Sequence, residues 1–306
     1  MKMDNAKKTA PQYREKKEKI WTPGQIVLMI VIAVTSLTCL LPFVNVAAVS
    51  FSSKSAILRG DVTFWPVEFE TTAYKAIFSD SAMIRSLVFT VIITLIYTLF
   101  SMILTILMAY PLTKKRLHGR KFFNFLALFT MYFSGGTIPI YRNIKELGLL
   151  DTPWALILPG MLSTYNMIIL KSFFAALPSE LEEAAIIDGA NDFKVLMDIY
   201  LPLSMASLAT LTLFYAVGKW NSFQDALYYI STKAYQPLQL KLYHIIKGSQ
   251  AVDIAAMEGG SSAVASSVSE SIEPATIIFA TLPILVVYPF VQRYFVAGVT
   301  IGAVKG

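Results

Sequence analysis

Apolar and polar positions fall into long blocks along this chain, not into short repeats. Uncharged windows cover residues 20–53, 86–113, 122–141, 152–170, 199–218 and 274–292, the fifth with Asp198 at its lip. Each holds at least 19 residues, and about 20 apolar residues at 1.5 Å each cross the ~30 Å hydrocarbon layer of a bilayer. The period-2 alternation of barrel strands is missing, and backbone in lipid must satisfy its own hydrogen bonds. The pattern predicts an all-α integral membrane protein with six transmembrane helices, at about 25–50, 84–112, 121–141, 152–174, 202–220 and 274–294. A secretory signal would turn polar after an apolar core of about 7–15 residues. Here Pro42, Phe43 and Val44 carry the run onward, so the first window reads as a membrane helix.

Composition agrees, with 55% hydrophobic and 15% charged residues against roughly 25% charged in a soluble protein. Lys2, Lys7, Lys8, Arg14, Lys16, Lys17 and Lys19 precede the first window; Lys114, Lys115, Arg116, Arg120 and Lys121 lie between the second and third. Basic residues near helix ends mark the cytoplasmic side. These segments are therefore expected inside, with Lys171 and Lys194 between the fourth and fifth windows. An even number of crossings puts the C-terminus, with Arg293 and Lys305, inside as well. The net charge of +6 is then topological and calls for no nucleic acid.

Cys39 is the single cysteine, and neither His118 nor His244 has a neighbour at metal-ligand spacing, so neither an internal disulfide nor a metal site is expected. No nucleophile, base and acid stand together, no catalytic residue is assigned, and no Gly-rich Lys loop for nucleotide phosphates is present. Residues 1–20 read as a basic cytoplasmic tail. The segment after the first window carries Phe64, Trp65, Tyr74 and Phe78, aromatics suited to a membrane interface. Outer segments are expected at 137–152 and, much longer, at 219–273. The latter includes a small, polar tract from Gly259 to Ser269, which fits either a functional or a disordered loop. Pro42, Pro159-Gly160 and Pro283 interrupt hydrogen-bond ladders within spans, which suits ordinary kinked packing or the lining of a water-filled path.

The segment 178–202 between the fourth and fifth windows departs from the other basic inner segments. Glu180, Glu182, Glu183, Asp188, Asp192 and Asp198 make it acidic. Its pattern predicts two short helices meeting at a corner. Ser179 and Glu182 have capping-box spacing, Gly189 can end the first helix in a left-handed conformation, and Asn191 or Asp192 can cap the second. Pro202 can open the fifth membrane helix, where its missing N–H is harmless. Leu181, Ala184, Ala185 and Asp188 share one side of the first helix; Glu182, Ile186 and Gly189 share another. Such a knob fits a basic cleft on a partner, or an amphipathic helix pair lying on the membrane.

The order Glu183-Ala184-Ala185, three residues, Gly189, nine residues, Ile199, one residue, Leu201-Pro202 resembles the coupling motif of importer-type ATP-binding-cassette permeases, with Asp188 and Ala190 also in its usual form. The stretches Phe133 to Pro139, Leu147 to Thr152, Trp154-Ala155-Leu156 and Gln292 to Gly306 are similar to carbohydrate permeases of the maltose-transporter G-subunit type, most of all the Gram-positive branch for complex oligosaccharides such as aldouronates and pectin fragments. The resemblance implies the type I ABC importer permease fold over residues 21–306, with both termini cytoplasmic. It implies pairing with a second, homologous permease, two cytoplasmic ATP-binding subunits that hold ATP-Mg, an extracellular solute-binding protein, and no cofactor on this chain. Glu183 would meet a basic group of the ATPase, Gly189 would set the corner, and Ala184 and Ala185 would give close fit. The loop 219–273 would contact the binding protein. Tyr165, Asn166, Tyr215, Trp220 and Asn221 are candidates for an oligosaccharide path, although residues of these types near helix faces more often serve packing than ligand contact. A permease for a non-sugar solute such as a polyamine or phosphate shares the coupling motif. A secondary transporter would show ionisable residues near span centres or repeated halves, and neither is evident.

Overall fold

The computed structural model describes residues 22–257 and 270–303. The basic tail 1–20, the tract from Gly259 to Ser269 and Lys305 lie outside the described residues. Those residues form helices and no strand. Helix α1 (Pro23–Ser50) starts with a capping box between Thr22 and Gln25 and continues through Pro42. It is apolar and exposed around most of its girth, as a lipid-facing helix should be, and packs against the last helix. Two short helices follow, α2 (Lys54–Arg59) and α3 (Thr72–Ser79), then the central helix α4 (Ser81–Thr113). The buried face of α4 carries Ser86, Thr90, Thr94, Thr98, Ser101 and Thr105, spaced by three or four. Small side chains in such a row let neighbouring helices approach closely, and α8 and α12, introduced below, lie along it.

Three of the expected spans are broken. α5 (Arg120–Tyr132) meets α6 (Thr137–Glu146) at 113°. At 13 residues, α5 is only about 20 Å long. The break falls at Ser134-Gly135-Gly136, and Gly136 has φ +86°, a conformation that glycine alone adopts freely. α7 (Trp154–Ile157) runs into a 3₁₀ turn (Leu158–Gly160), then bends by 50° into α8 (Thr164–Ala175). Pro159 removes an amide there. α9 (Ser179–Ile187) and α10 (Asp192–Val195) form the corner, a π turn (Leu196–Tyr200) and α11 (Leu201–Leu203) continue it, and an 83° bend leads to α12 (Met205–Trp220). Pro202 therefore ends the segment before the bend, and the fifth membrane helix begins at Met205. The π turn explains the difference, because Leu201 N–H reaches back five residues to Leu196 and widens the ladder ahead of a residue that has no donor. The last helix, α15 (Ile272–Ala303), continues through Pro283 and Pro289. Among the described residues, three helices are thus long and apolar enough to cross a membrane, or up to six spans if each bent pair counts as one.

Within the segment 219–273, expected as one long loop, the described residues up to Met257 are largely helical. It contains α13 (Gln224–Tyr229), a 3₁₀ turn (Lys233–Tyr235) and α14 (Leu238–Met257). Ala226, Ile230 and Leu240 from it are buried with Ile93, Leu156 and Ile157. A larger cluster fills the other end of the bundle, where Ala109, Tyr110, Leu112, Leu170, Phe174, Val195 and Tyr200 join α4, α8 and α10.

Candidate coupling corner and the braced helix break

α9 ends as the glycine suggests. Gly189 sits at φ +80°, its N–H bonds the Ile186 carbonyl at 3.0 Å, and the Ala190 N–H bonds the Ala185 carbonyl at 2.9 Å. Those two bonds make the Schellman arrangement that turns the chain through a tight corner. Asn191 Oδ1 then accepts from Lys194 N–H at 2.9 Å and caps α10. The start of α9 differs from expectation. Pro178 occupies the cap position with no side-chain bond, Ser179 is already helical, and the capping box is not formed.

The reason is that Glu182 turns inward. Its Oε2 lies 2.7 Å from Lys114 Nζ at the end of α4, and the Tyr200 hydroxyl donates to the same oxygen at 2.8 Å. Lys114 Nζ also donates to the Tyr200 oxygen at 3.1 Å, closing a triangle. The cation sits 4.2 Å from the centroids of both Tyr110 and Tyr200, which pack edge to face on each other and on Phe174. Only 9% of Lys114 is exposed. Charge-assisted bonds in this half-buried place outweigh a neutral cap bond in water. Burial pushes the Glu182 carboxyl up; the hydrogen bonds from Lys114 and Tyr200, with the Lys114 and Arg116 charges, more than offset it and hold it below its ordinary value. Arg116 pairs with Asp192 on α10, both side chains more than half exposed.

Two of the six acidic groups, Glu182 and Asp192, are thereby neutralised within the chain. Glu180, Glu183, Asp188 and Asp198 remain on the exposed side, with Ala184 and Gly189, while Ala185 and Ala190 pack inward against the core. Ile187, 84% exposed, and Phe193, 67% exposed, flank the corner with apolar surface. Ile199 and Leu201 lie half-buried on the π turn and α11, beside exposed Pro202. A cleft of about 610 Å³ separates α9 from the basic segment, with Lys115, Arg116, Arg120 and Glu183 on its walls.

The five path candidates separate. Tyr165, 56% exposed, and Asn221 lie on the surface. Asn166, Tyr215 and Trp220 are buried. The Tyr215 hydroxyl shares a 2.7 Å bond with Thr105 on α4 and accepts the Ser163 N–H at 3.1 Å. The Trp220 indole donates to the Ala280 carbonyl at 3.2 Å, next to the Pro283 turn. Both polar groups bond inside the bundle, as suits packing. The break between α7 and α8 has further braces that the sequence did not reveal. Lys219 donates to the Leu156 carbonyl just before the Pro159 turn and meets Asp225 at 3.4 Å. Tyr97 donates to the Gly160 carbonyl. Irregular backbone at membrane depth needs such partners. The signal available was Lys219 itself, a charge placed directly against an uncharged window.

At the opposite end from the corner, Asp151 adopts φ +58°, which aspartate tolerates better than most residues. Its carboxylate accepts from Thr232 Oγ1 at 2.6 Å, Thr232 N–H at 2.7 Å and Ser231 N–H at 2.9 Å, while its own N–H bonds the Tyr229 carbonyl at 2.8 Å. The clasp ties the turn before α7 to the end of α13. The Thr232 hydroxyl and then its amide hold the Asp151 carboxyl below its ordinary value, with the Ser231 amide adding to them against a smaller opposing effect of burial. A carboxyl so depressed contributes stability above its unfolded value of about 3.9, lost as pH falls through the lower folded value. The protection factors of the Ser231 and Thr232 amides, measured relative to intrinsic exchange at each pH, should hold down to about pH 3.9 and fall only below it; loss of protection already at pH 5 would contradict the clasp.

Residues 76–300 match the family described as binding-protein-dependent transport system inner membrane component. The chain is 43% identical over 273 residues, covering 89% of it and 94% of the relative, to the polygalacturonan/rhamnogalacturonan transport system permease protein YtcP of Bacillus subtilis (strain 168). It is 44% identical over 267 residues, covering 87% of it and 90% of the relative, to protein LplC of the same organism. A chain in the crystal structure of a bacterial ABC transporter involved in the import of the acidic polysaccharide alginate superposes with a TM-score of 0.79 at 30% identity, covering 90% of this chain and 99% of that one. The exposed corner, the broken spans and these likenesses agree: the chain belongs to the binding-protein-dependent transport system inner membrane component family and is a membrane-embedded ABC transporter permease.

Proposed function

We propose that this permease forms half of the translocation path of an ATP-driven oligosaccharide importer. It crosses the membrane six times with both ends cytoplasmic, pairs with a second permease, and receives its substrate from an extracellular solute-binding protein. The corner formed by α9 and α10 docks into a cytoplasmic ATPase, which binds and hydrolyses ATP. The observation that carries this reading is the corner itself: Glu183, Asp188 and Ile187 face outward while Ala185 and Glu182 fasten its rear to the bundle. A surface exposed in front and fixed behind suits a lever. Tyr165 and Asn221 are the exposed path candidates, Asn221 with its amide nitrogen bonded to the Val217 carbonyl and its oxygen left to face a substrate. The carbohydrate named for the 43% identical relative, a polygalacturonan or rhamnogalacturonan fragment, is the first substrate to try.

Reconstitution with the second permease, the ATPase pair and the binding protein tests the reading. Galacturonan or rhamnogalacturonan oligosaccharides are expected to stimulate ATP hydrolysis several-fold. Stimulation by a polyamine or phosphate and by no saccharide would replace the substrate class while leaving the permease role in place.

A further inference from the structure

We propose that Glu182, Lys114 and Tyr200 form a rigid bolt that converts movement of the corner into movement of the membrane helices; Glu182 is a positioning residue and not part of the docking surface. The inference rests on the coupling reading above and extends it to residues outside the matched motif. α9 is joined to the bundle covalently only through the Leu177-Pro178 turn and the Gly189 corner. Backbone turns of that kind transmit force poorly unless a side chain spans them. Glu182 supplies the span, since its carboxylate meets α4 through Lys114 and the π turn leading to α12 through Tyr200, at 2.7 and 2.8 Å on one oxygen.

Three properties make this a bolt and not a surface ion pair. The cation is almost fully buried and sandwiched by two tyrosine rings at 4.2 Å each, so it is weakly screened. The triangle is closed, so displacing any member breaks two bonds. It also joins three elements at one point, and two of them lead into long helices. α4 runs from Lys114 up past Tyr97, which holds the Gly160 carbonyl in the α7–α8 break; α12 carries Tyr215, which holds the Ser163 amide on the other side of that break. A displacement of α9 therefore reaches the broken span along both helices, through contiguous packed contacts.

The test uses the complete transporter in proteoliposomes and reads three quantities: ATPase subunits co-purified with the permease, ATP hydrolysed, and substrate imported per ATP. Glu182→Gln and Lys114→Met are expected to keep full ATPase co-purification and hydrolysis within about twofold, while import per ATP falls about fivefold. Lys114→Arg keeps the charge but forces a larger planar group between the two rings, so it should retain only part of the import ratio. Tyr200→Phe, which preserves packing, should give a smaller loss of about twofold. An unchanged import ratio in Glu182→Gln and Lys114→Met would overturn the bolt. So would loss of ATPase co-purification in Glu182→Gln, which would place Glu182 on the docking surface. Failure of the unaltered permease to co-purify with any ATPase would instead sink the coupling reading beneath it.

Discussion

Gly189→Val is expected to reduce import at least tenfold in a permease that still inserts and folds. Nothing lies within 4 Å of a Cβ built at this glycine, so no clash arises, and the whole effect comes from φ +80°. A β-branched residue in the left-handed region costs about 1–3 kcal/mol. Relaxing that strain means unwinding the two bonds to Ile186 and Ala185 that set the corner. Because α9 is short and exposed in front, its reorientation leaves the core cluster behind it intact. Gly189→Asn should be several-fold milder, since asparagine visits this region readily. Glu183→Lys reverses an exposed charge without touching the corner, and should release the ATPase on co-purification. Wild-type import by Gly189→Val, or normal ATPase retention by Glu183→Lys, would remove the corner from the coupling role.

The second large effect is expected from Lys219→Met. The substitution preserves length and apolar bulk but takes away the donor on the Leu156 carbonyl and the partner of Asp225. The Leu156 carbonyl then stands uncompensated beside a break in a membrane span, at a cost of up to about 3 kcal/mol, while Asp225, half exposed, keeps its bond from Ser222. Thermal unfolding in detergent, followed by tryptophan fluorescence, should shift down by about 5–10 °C. Tyr215→Phe removes one hydroxyl from the same break and should shift it by less than half as much. An unchanged midpoint for Lys219→Met would mean that the break holds itself.

What the sequence revealed follows from range. Span positions were legible because a charge-free window is a local property, and Gly189 was legible because a left-handed corner is written in one residue. The breaks were harder. Pro159-Gly160 marked one, yet Pro42 and Pro283, equally visible, lie in helices that continue. Whether a proline breaks a span depends on neighbours that can donate to carbonyls at the break, and here Lys219 stands 63 residues from Leu156. The fold of the 219–257 segment was hidden for the same reason. Its buried residues are too few for a span, and their partners Ile93 and Leu156 are remote in sequence. At the corner, Glu182 looked like a cap because capping is local, while the Lys114 that claims it is 68 residues away. Two carboxylates of the corner, Glu182 and Asp192, pair with Lys114 and Arg116, bases likewise remote in sequence.

The π turn gives the spacing between Gly189 and Pro202 a meaning of its own. Each residue of helix advances the azimuth by about 100°, so the count between the corner and Tyr200 determines where the Tyr200 hydroxyl points. The wide turn at Leu196–Tyr200 carries one residue more than an α turn would, and Pro202 keeps it from closing. Removing or adding a residue there would swing the hydroxyl about a quarter of a revolution away from Lys114. The interval between Gly189 and Tyr200 is thus a phase setting: it keeps corner and membrane helix in step, as the teeth of meshed gears are kept in step by their number.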